Sequence, residues 1–177
     1  PSDLILRRDR RQRWQVLDMG CGSAILGLGF MRACPASSLV LVDNDGLAVR
    51  TAVENARINA LPRRRVEAVL SQGYAHPAVR ASRPYDLIFA NILAGPLCVM
   101  ARDQMAALAP KGWLILSGIL NSQAVMVERR YASAGTRAVS RLRIGDWTTL
   151  VMRRASHPAR LGGGAGLWHP RDRYITA

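Results

Sequence analysis

The sequence predicts an α/β domain: a mostly parallel sheet with helices on both faces, closed by an antiparallel C-terminal hairpin. Three observations carry this. Apolar runs alternate with helix-patterned segments along most of the chain. The runs are continuous rather than alternating, as strands buried on both faces require. The last two, Ala138 to Ile144 and Trp147 to Arg153, are separated only by Gly145-Asp146. That is too short for a crossover helix, so the pair must run antiparallel.

The elements follow in order. Trp14 to Met19 reads as a buried strand and Ile25 to Ala33 as a helix stopped by Pro35. Leu39 to Val42 is the second strand, ending at Asp43. Asp45 is placed to cap the next helix, whose apolar stripe is Leu47, Val49, Ala52, Val53, Ala56 and Ala60. Val66 to Leu70 and Tyr85 to Ala90 are the third and fourth strands. A helix over Gly95 to Leu108 stops ahead of Pro110. Trp113 to Leu116 is the fifth strand, and Gln123 to Ala134 is a helix ended by Gly135. The organisation is a basic segment over Pro1 to Arg13, a domain over Trp14 to Arg154, and a tail over Ala155 to Ala177 without periodicity.

Composition excludes several classes. With 49% hydrophobic and 21% charged residues, the 177-residue chain is globular rather than disordered. No apolar segment reaches the roughly 18 residues of a spanning helix, so no membrane partner is expected. Cys21, Cys34 and Cys98 have neither metal nor disulfide spacing, which points to a cytoplasmic protein without a metal. Twenty-five basic residues against 12 acidic ones give a net charge of +13, a field that favours polyanions such as RNA. All but Lys111 are arginine, and alanine is abundant, a pattern that biased genomic composition produces as readily as an RNA partner does. The basic clusters are Arg7 to Arg13, Arg63 to Arg65, and Arg153-Arg154.

The first strand ends in Asp18-Met19-Gly20-Cys21-Gly22-Ser23-Ala24, and the second ends in Asp43-Asn44. In open parallel sheets, ligands bind beyond the carboxyl ends of the strands. Glycines there admit close backbone approach, and the following helix offers unpaired N–H groups. A carboxylate about twenty residues on can accept from both hydroxyls of a ribose, so together they describe an adenosine-containing ligand. A dinucleotide site wants G-x-G-x-x-G, and Ile25 stands at its last glycine. The acid-x-G-x-G-x-G form used for S-adenosylmethionine (AdoMet) is met at Asp18, Gly20 and Gly22, with Ala24 in the third glycine place.

Val16 to Leu26, Val42 to Asp45, Ala90-Asn91-Ile92-Leu93-Ala94-Gly95-Pro96-Leu97 and Leu116 to Leu120 resemble PrmA. That family comprises AdoMet-dependent methyltransferases acting on the eleventh protein of the large ribosomal subunit. The resemblance covers Trp14 to about Arg154. It implies a Rossmann-like class I methyltransferase fold of seven strands, AdoMet as cofactor, and a ribosomal protein amine as acceptor. The residues it marks for the cofactor are Asp18, Gly20, Cys21, Gly22, Asp43, Asn44 and Asn91. Asp18 orders the glycine turn and faces the methionine ammonium, while Asn44 lines the adenine pocket. Ser71-Gln72 stand where relatives often place an acidic adenine contact. Nothing in the sequence near Cys21 would activate its thiol, a small filler of the turn, and His76, His157 and His169 lack partners.

Asn91, an amide closing an oily strand, is the expected catalytic residue. A lysine amine, whose ordinary pKa is about 10.4, must shed its proton before it can attack, and a dry pocket favours that. An amide oxygen accepting from the amine's N–H groups points the lone pair at the methyl carbon. Relatives acting on amines carry Asn-Pro-Pro-aromatic here; Ile92-Leu93 replace the two following residues. The family's N-terminal substrate domain, and its Gly-Thr-Gly-x-His-x-Thr-Thr segment, have no counterpart in Pro1 to Arg13, and two readings of this stay open: an excerpt of a longer protein, or a complete chain without that substrate grip. Two other readings stay open: a compact methyltransferase for a small molecule or RNA, and a non-catalytic AdoMet-binding module.

Overall fold

The computed structural model describes residues 12–155; the expected tail and most of the basic N-terminal segment lie outside them. Seven strands form one sheet in the order β3-β2-β1-β4-β5-β7-β6. In chain order the strands are β1 Gln15–Met19, β2 Ser38–Asp43, β3 Val66–Leu70, β4 Tyr85–Asn91, β5 Leu108–Leu120, β6 Thr136–Ile144 and β7 Trp147–Arg154. The first five are mutually parallel, and β7 runs antiparallel to both β5 and β6. Chain order reverses between β1 and β4, which is where such sheets open a crevice.

Five helices cover the sheet: α1 Ile25–Ala33, α2 Gly46–Ile58, α3 Pro77–Ala81, α4 Ala94–Ala107 and α5 Ala124–Ser133. Strand residues alternate between two cores. Val16, Leu39, Leu41, Leu87 and Phe89 pack with Leu28, Phe30 and Met31 of α1 and Ala52 and Ala56 of α2. Leu17, Val40, Val42, Ile88 and Leu114 pack with α3, α4 and α5 through Val79, Leu97, Met105, Val127 and Tyr131. Two-sided burial is the reason for the continuous apolar runs. Tyr131 at the α4–α5 contact is fully buried, its hydroxyl donating to Leu97 O at 2.9 Å. No helix among the described residues is long and apolar enough to cross a membrane.

Three expectations need correction. The α2 stripe is narrower than its pattern: Ala52 and Ala56 are buried, whereas Leu47, Val53 and Ala60 are exposed, because α2 covers the sheet only through small residues. Helix α4 ends at Ala107 with Leu108 already extended, so pairing with β4 ends the helix before Pro110 can. Strand β5 is correspondingly longer than expected, running to Leu120 through its ladder with β7. Short α3 has no clear periodicity in the sequence; His76 caps it, Nδ1 accepting from Ala78 N at 3.2 Å.

Candidate active site

The turn after β1 is hooked onto β2. Gly20 N and Cys21 N both donate to Val42 O, at 2.8 and 2.9 Å. Asp43 then gathers the loops: Oδ2 accepts from Gly22 N at 2.9 Å and Oδ1 from Asp45 N at 3.0 Å. Each carboxylate oxygen keeps a second lone-pair direction for a ligand hydroxyl. Asp45 caps α2 as expected, accepting from Leu47 N at 2.8 Å.

Gly20, Gly22 and Ala24 all have positive φ, at 69°, 54° and 63°. A side chain at Gly20 would meet Ile92 Cγ2 at 2.3 Å, so this glycine lets the loop after β4 close on the turn after β1. At Gly22 a Cβ would meet nothing within 4 Å and would stand in open space above the turn. Ala24 takes the left-handed conformation that makes glycine useful in the third place, a strain of ~1–2 kcal/mol. Its methyl is fully buried in the core beneath α1, which offsets part of that strain.

Ala24 has no side-chain oxygen to cap α1, and Asp18 takes over from the end of β1. Its Oδ2 accepts from Gly27 N at 2.8 Å with the residue 2% exposed. Burial raises its pKa to about 7, against the Gly27 N–H, which lowers it; the Asp43 charge pushes it further up. Burial, with Asp18 and Asp43 nearby, likewise pushes the Cys21 thiol up to about 12, so it stays protonated, as befits a filler.

The sign for stability follows from the direction of the Asp18 shift. Between pH ~4 and ~7 the folded chain holds a proton that the unfolded chain has lost, so stability falls as pH rises through that window. At 1.36 kcal/mol per unit the loss is at most ~4 kcal/mol. Asp18→Asn keeps an acceptor for Gly27 N without the titration. Denaturant unfolding is therefore expected to find the variant similar to the parent at pH 4.5 and more stable at pH 8. A difference independent of pH would contradict the assignment.

Beyond the strand ends lies a cavity of about 740 Å³ lined by Met19, Gly20, Asp43, Asn44, the loop Ser71-Gln72-Gly73-Tyr74, Ile92, Leu93 and one face of α4. That volume suits a cofactor-sized ligand. Of the expected site residues, Gly20, Asp43 and Asn44 line it directly. Gly22 stands behind Asp43, Asp18 and Cys21 are buried beneath the turn, and Asn91 is exposed beside Ile92. Asn91 pairs with Ser117, and its Oδ1 lies 2.9 Å from where a Cβ of Gly118 would be. Gly118, at φ 73°, thus gives the amide room to lie against β5.

Pro96, Val99, Met100 and Asp103 also line the cavity, beyond the residues the sequence singles out. Their i, i+3, i+4, i+7 spacing is a legible signal, but along the chain it is that of any ordinary helix face. Leu93 and Val99, 71% and 79% exposed, give the cavity an apolar rim. His76 takes no part beyond capping; His157 and His169 lie outside the described residues.

The family model described as ribosomal protein L11 methyltransferase (PrmA) matches residues 4–155. The chain belongs to the PrmA family. Among its relatives, the ribosomal protein L11 methyltransferase of a Caulobacter species is 40% identical over 140 residues, 79% of this chain and 47% of the relative. That of a Chelativorans species is 41% identical over 138 residues, 78% of this chain and 47% of the relative. The chain spans about half the length of the curated relatives it matches. Among solved structures, ribosomal protein L11 methylase from Lactobacillus delbrueckii subsp. bulgaricus superposes with a TM-score of 0.76 at 27% identity, over 87% of this chain and 77% of that one. The precorrin-6y C5,15-methyltransferase of Geobacter metallireducens shares the fold at 15% identity, TM-score 0.67, over 87% of this chain and 86% of that one. The PrmA match and the seven-stranded sheet with its antiparallel strand agree with the fold the sequence predicts.

Proposed function

We propose that this PrmA-family domain, residues 14–154, is an AdoMet-dependent N-methyltransferase acting on amino groups of a ribosomal protein in the cytoplasm. The observation that carries the reading is the Asp43 carboxylate, held by two backbone N–H groups at the wall of a 740 Å³ cavity beside a glycine turn. The fit to AdoMet is chemical as well as spatial. Open space stands above Gly22, a fixed carboxylate is placed for a ribose, and Asn44 and the loop after β3 offer polar groups to an adenine.

AdoMet supplies a methyl group already activated on a sulfonium. What is left to the chain is binding and alignment. Asp43 holds the ribose, and the backbone of Gly20 to Gly22 closes on the cofactor from below. Asp18, buried beneath the turn rather than at the cavity wall where it would face the methionine ammonium, fixes the turn through Gly27 N of α1. Asn91, exposed beside the cavity-lining Ile92, accepts from the N–H groups of the incoming amine and aims its lone pair. The apolar rim of Leu93 and Val99 strips water from that amine once a substrate covers it, which favours the uncharged form.

The partners we assign are a ribosomal protein as acceptor, supported by the names of the relatives, and RNA, supported by the basic charge. Transfer of radiolabelled methyl from AdoMet tests the acceptor. Label is expected on the ribosomal protein named by the relatives, and not on small amines or RNA. Label on RNA or small amines alone would overturn the protein-amine reading in favour of a different acceptor.

A further inference from the structure

We infer that the amino-terminal edge of the sheet, opposite the cavity, is a docking surface for an RNA sugar-phosphate backbone. The fold brings there basic residues that are scattered in sequence. At one end Arg65 immediately precedes β3, Arg63 and Arg64 form its lead-in turn, and Arg13 stands two residues before β1. At the other, Lys111 lies near the start of β5, and the β6–β7 ladder sets Arg137 opposite Arg153, with Arg154 beside them. Since β7 alone is antiparallel, its last residues and the first residues of β5 and β6 share this edge.

Backbone carbonyls, rather than carboxylates, hold several of these groups. Arg65 donates to Pro35 O, Arg153 Nε to Lys111 O at 3.1 Å, and Arg154 to Leu108 O. Arg153 also lies over the Trp113 ring, 4.9 Å from its centroid. Neither of the salt bridges found among the described residues, Arg57–Glu54 and Arg141–Glu128, uses them. The carboxylates near this edge are Glu67 and Asp86, and Asp86 already accepts from Gln15 N at 2.9 Å. Asp18, Asp43, Asp45 and Asp146 sit at the other end, as the strand ends and the β6–β7 turn dictate.

The chemistry points to phosphate. Guanidinium groups recognise phosphates through planar paired donors, and a carbonyl holding one side of the fork presents the rest. Six strand spacings give the edge a length of about 29 Å. Along that length a B-form duplex carries roughly 17 backbone charges, and an A-form RNA duplex no fewer. A membrane would want apolar side chains among the cations. Here exposed Leu93, Leu47, Ile144 and Trp147 stand at the opposite end of the sheet, and Val53 and Ile58 of α2 are the exposed apolar side chains near Arg63. The inference uses only charge and topology and does not rest on the methyl-transfer reading.

The test is fluorescence anisotropy of the full chain with a labelled RNA duplex of about 20 base pairs, from about 50 to 200 mM salt. A log–log salt slope of about −3.5 to −5.5 is expected, corresponding to roughly four to six phosphates. The pairs Arg63→Glu with Arg64→Glu, and Lys111→Glu with Arg137→Glu, replace exposed side chains and should leave the melting midpoint near that of the parent. Each pair should weaken binding at least tenfold and flatten the slope by about 2. The control pair Arg102→Glu with Arg129→Glu, exposed on α4 and α5, makes the same change in net charge away from the edge and should weaken binding less than threefold. Equal losses in all three pairs would reduce the effect to net charge and overturn the inference. So would absence of RNA binding at the lowest salt, or equal affinity for polyglutamate.

Discussion

Asn91→Ala is expected to lower kcat for methyl transfer by about 100-fold or more, a barrier increase of ~2.7 kcal/mol. AdoMet affinity should change by less than about threefold, because Asp43, Asn44 and the glycine turn, which line or back the cavity, remain. The split between kcat and binding separates alignment of the acceptor from support of the cofactor. Gly118→Ala should reproduce the defect with Asn91 still present. The added methyl would sit 2.9 Å from Asn91 Oδ1 and 3.0 Å from Ile92 O, so either the amide or the loop must move. Single-turnover assays with saturating AdoMet read both. Normal turnover in Asn91→Ala with AdoMet bound would remove the amide from the mechanism.

The two glycines of the turn are expected to fail in different ways. At Gly20 an alanine Cβ would fall 2.3 Å from Ile92 Cγ2 while φ stays at 69°. Left-handed strain and overpacking together amount to ~2–4 kcal/mol, a fall in Tm of roughly 5–15 °C for a domain of this size. At Gly22, where nothing lies within 4 Å, only the backbone strain of ~1–2 kcal/mol acts on stability. Gly22 N is held by Asp43 Oδ2 at the cavity wall, so straining this turn displaces the carboxylate, and AdoMet affinity should fall at least tenfold in Gly22→Ala. Thermal melts paired with AdoMet titrations distinguish the two. A Gly22→Ala protein that binds like the parent would mean the turn is not a cofactor cradle.

Much of this is legible in the sequence because the interactions are local. The strands announce themselves as unbroken apolar runs. Asp45 is readable as a cap, and Gly145-Asp146 as the hairpin turn. Asp18, Gly20 and Gly22 are readable as a group because a strand-to-helix turn fixes their relations within a few residues, and Asp43 joins them only through its place at the end of the next strand. What escapes is non-local. That Asp18 caps α1, because Ala24 cannot, depends on a contact across nine residues. The service of Gly118 to Asn91, and of Gly20 to Ile92, needs strands β4 and β5 and the two loops side by side. The α4 face at the cavity uses the same periodicity as an ordinary helix face, and only the sheet decides which side meets a ligand. The basic clusters, unremarkable along the chain, acquire a common edge only once strand order and direction are known.

Calorimetric titration of the chain with AdoMet, beside Asp43→Ala, tests the central claim that the cavity beyond β1, β2 and β4 is the cofactor site. Loss of a carboxylate accepting from two ribose hydroxyls removes charge-assisted hydrogen bonds of ~1.5–3 kcal/mol each. The predicted result is binding in the micromolar range, with the variant folded and at least 100-fold weaker. Parent and folded variant binding AdoMet with equal affinity would contradict it.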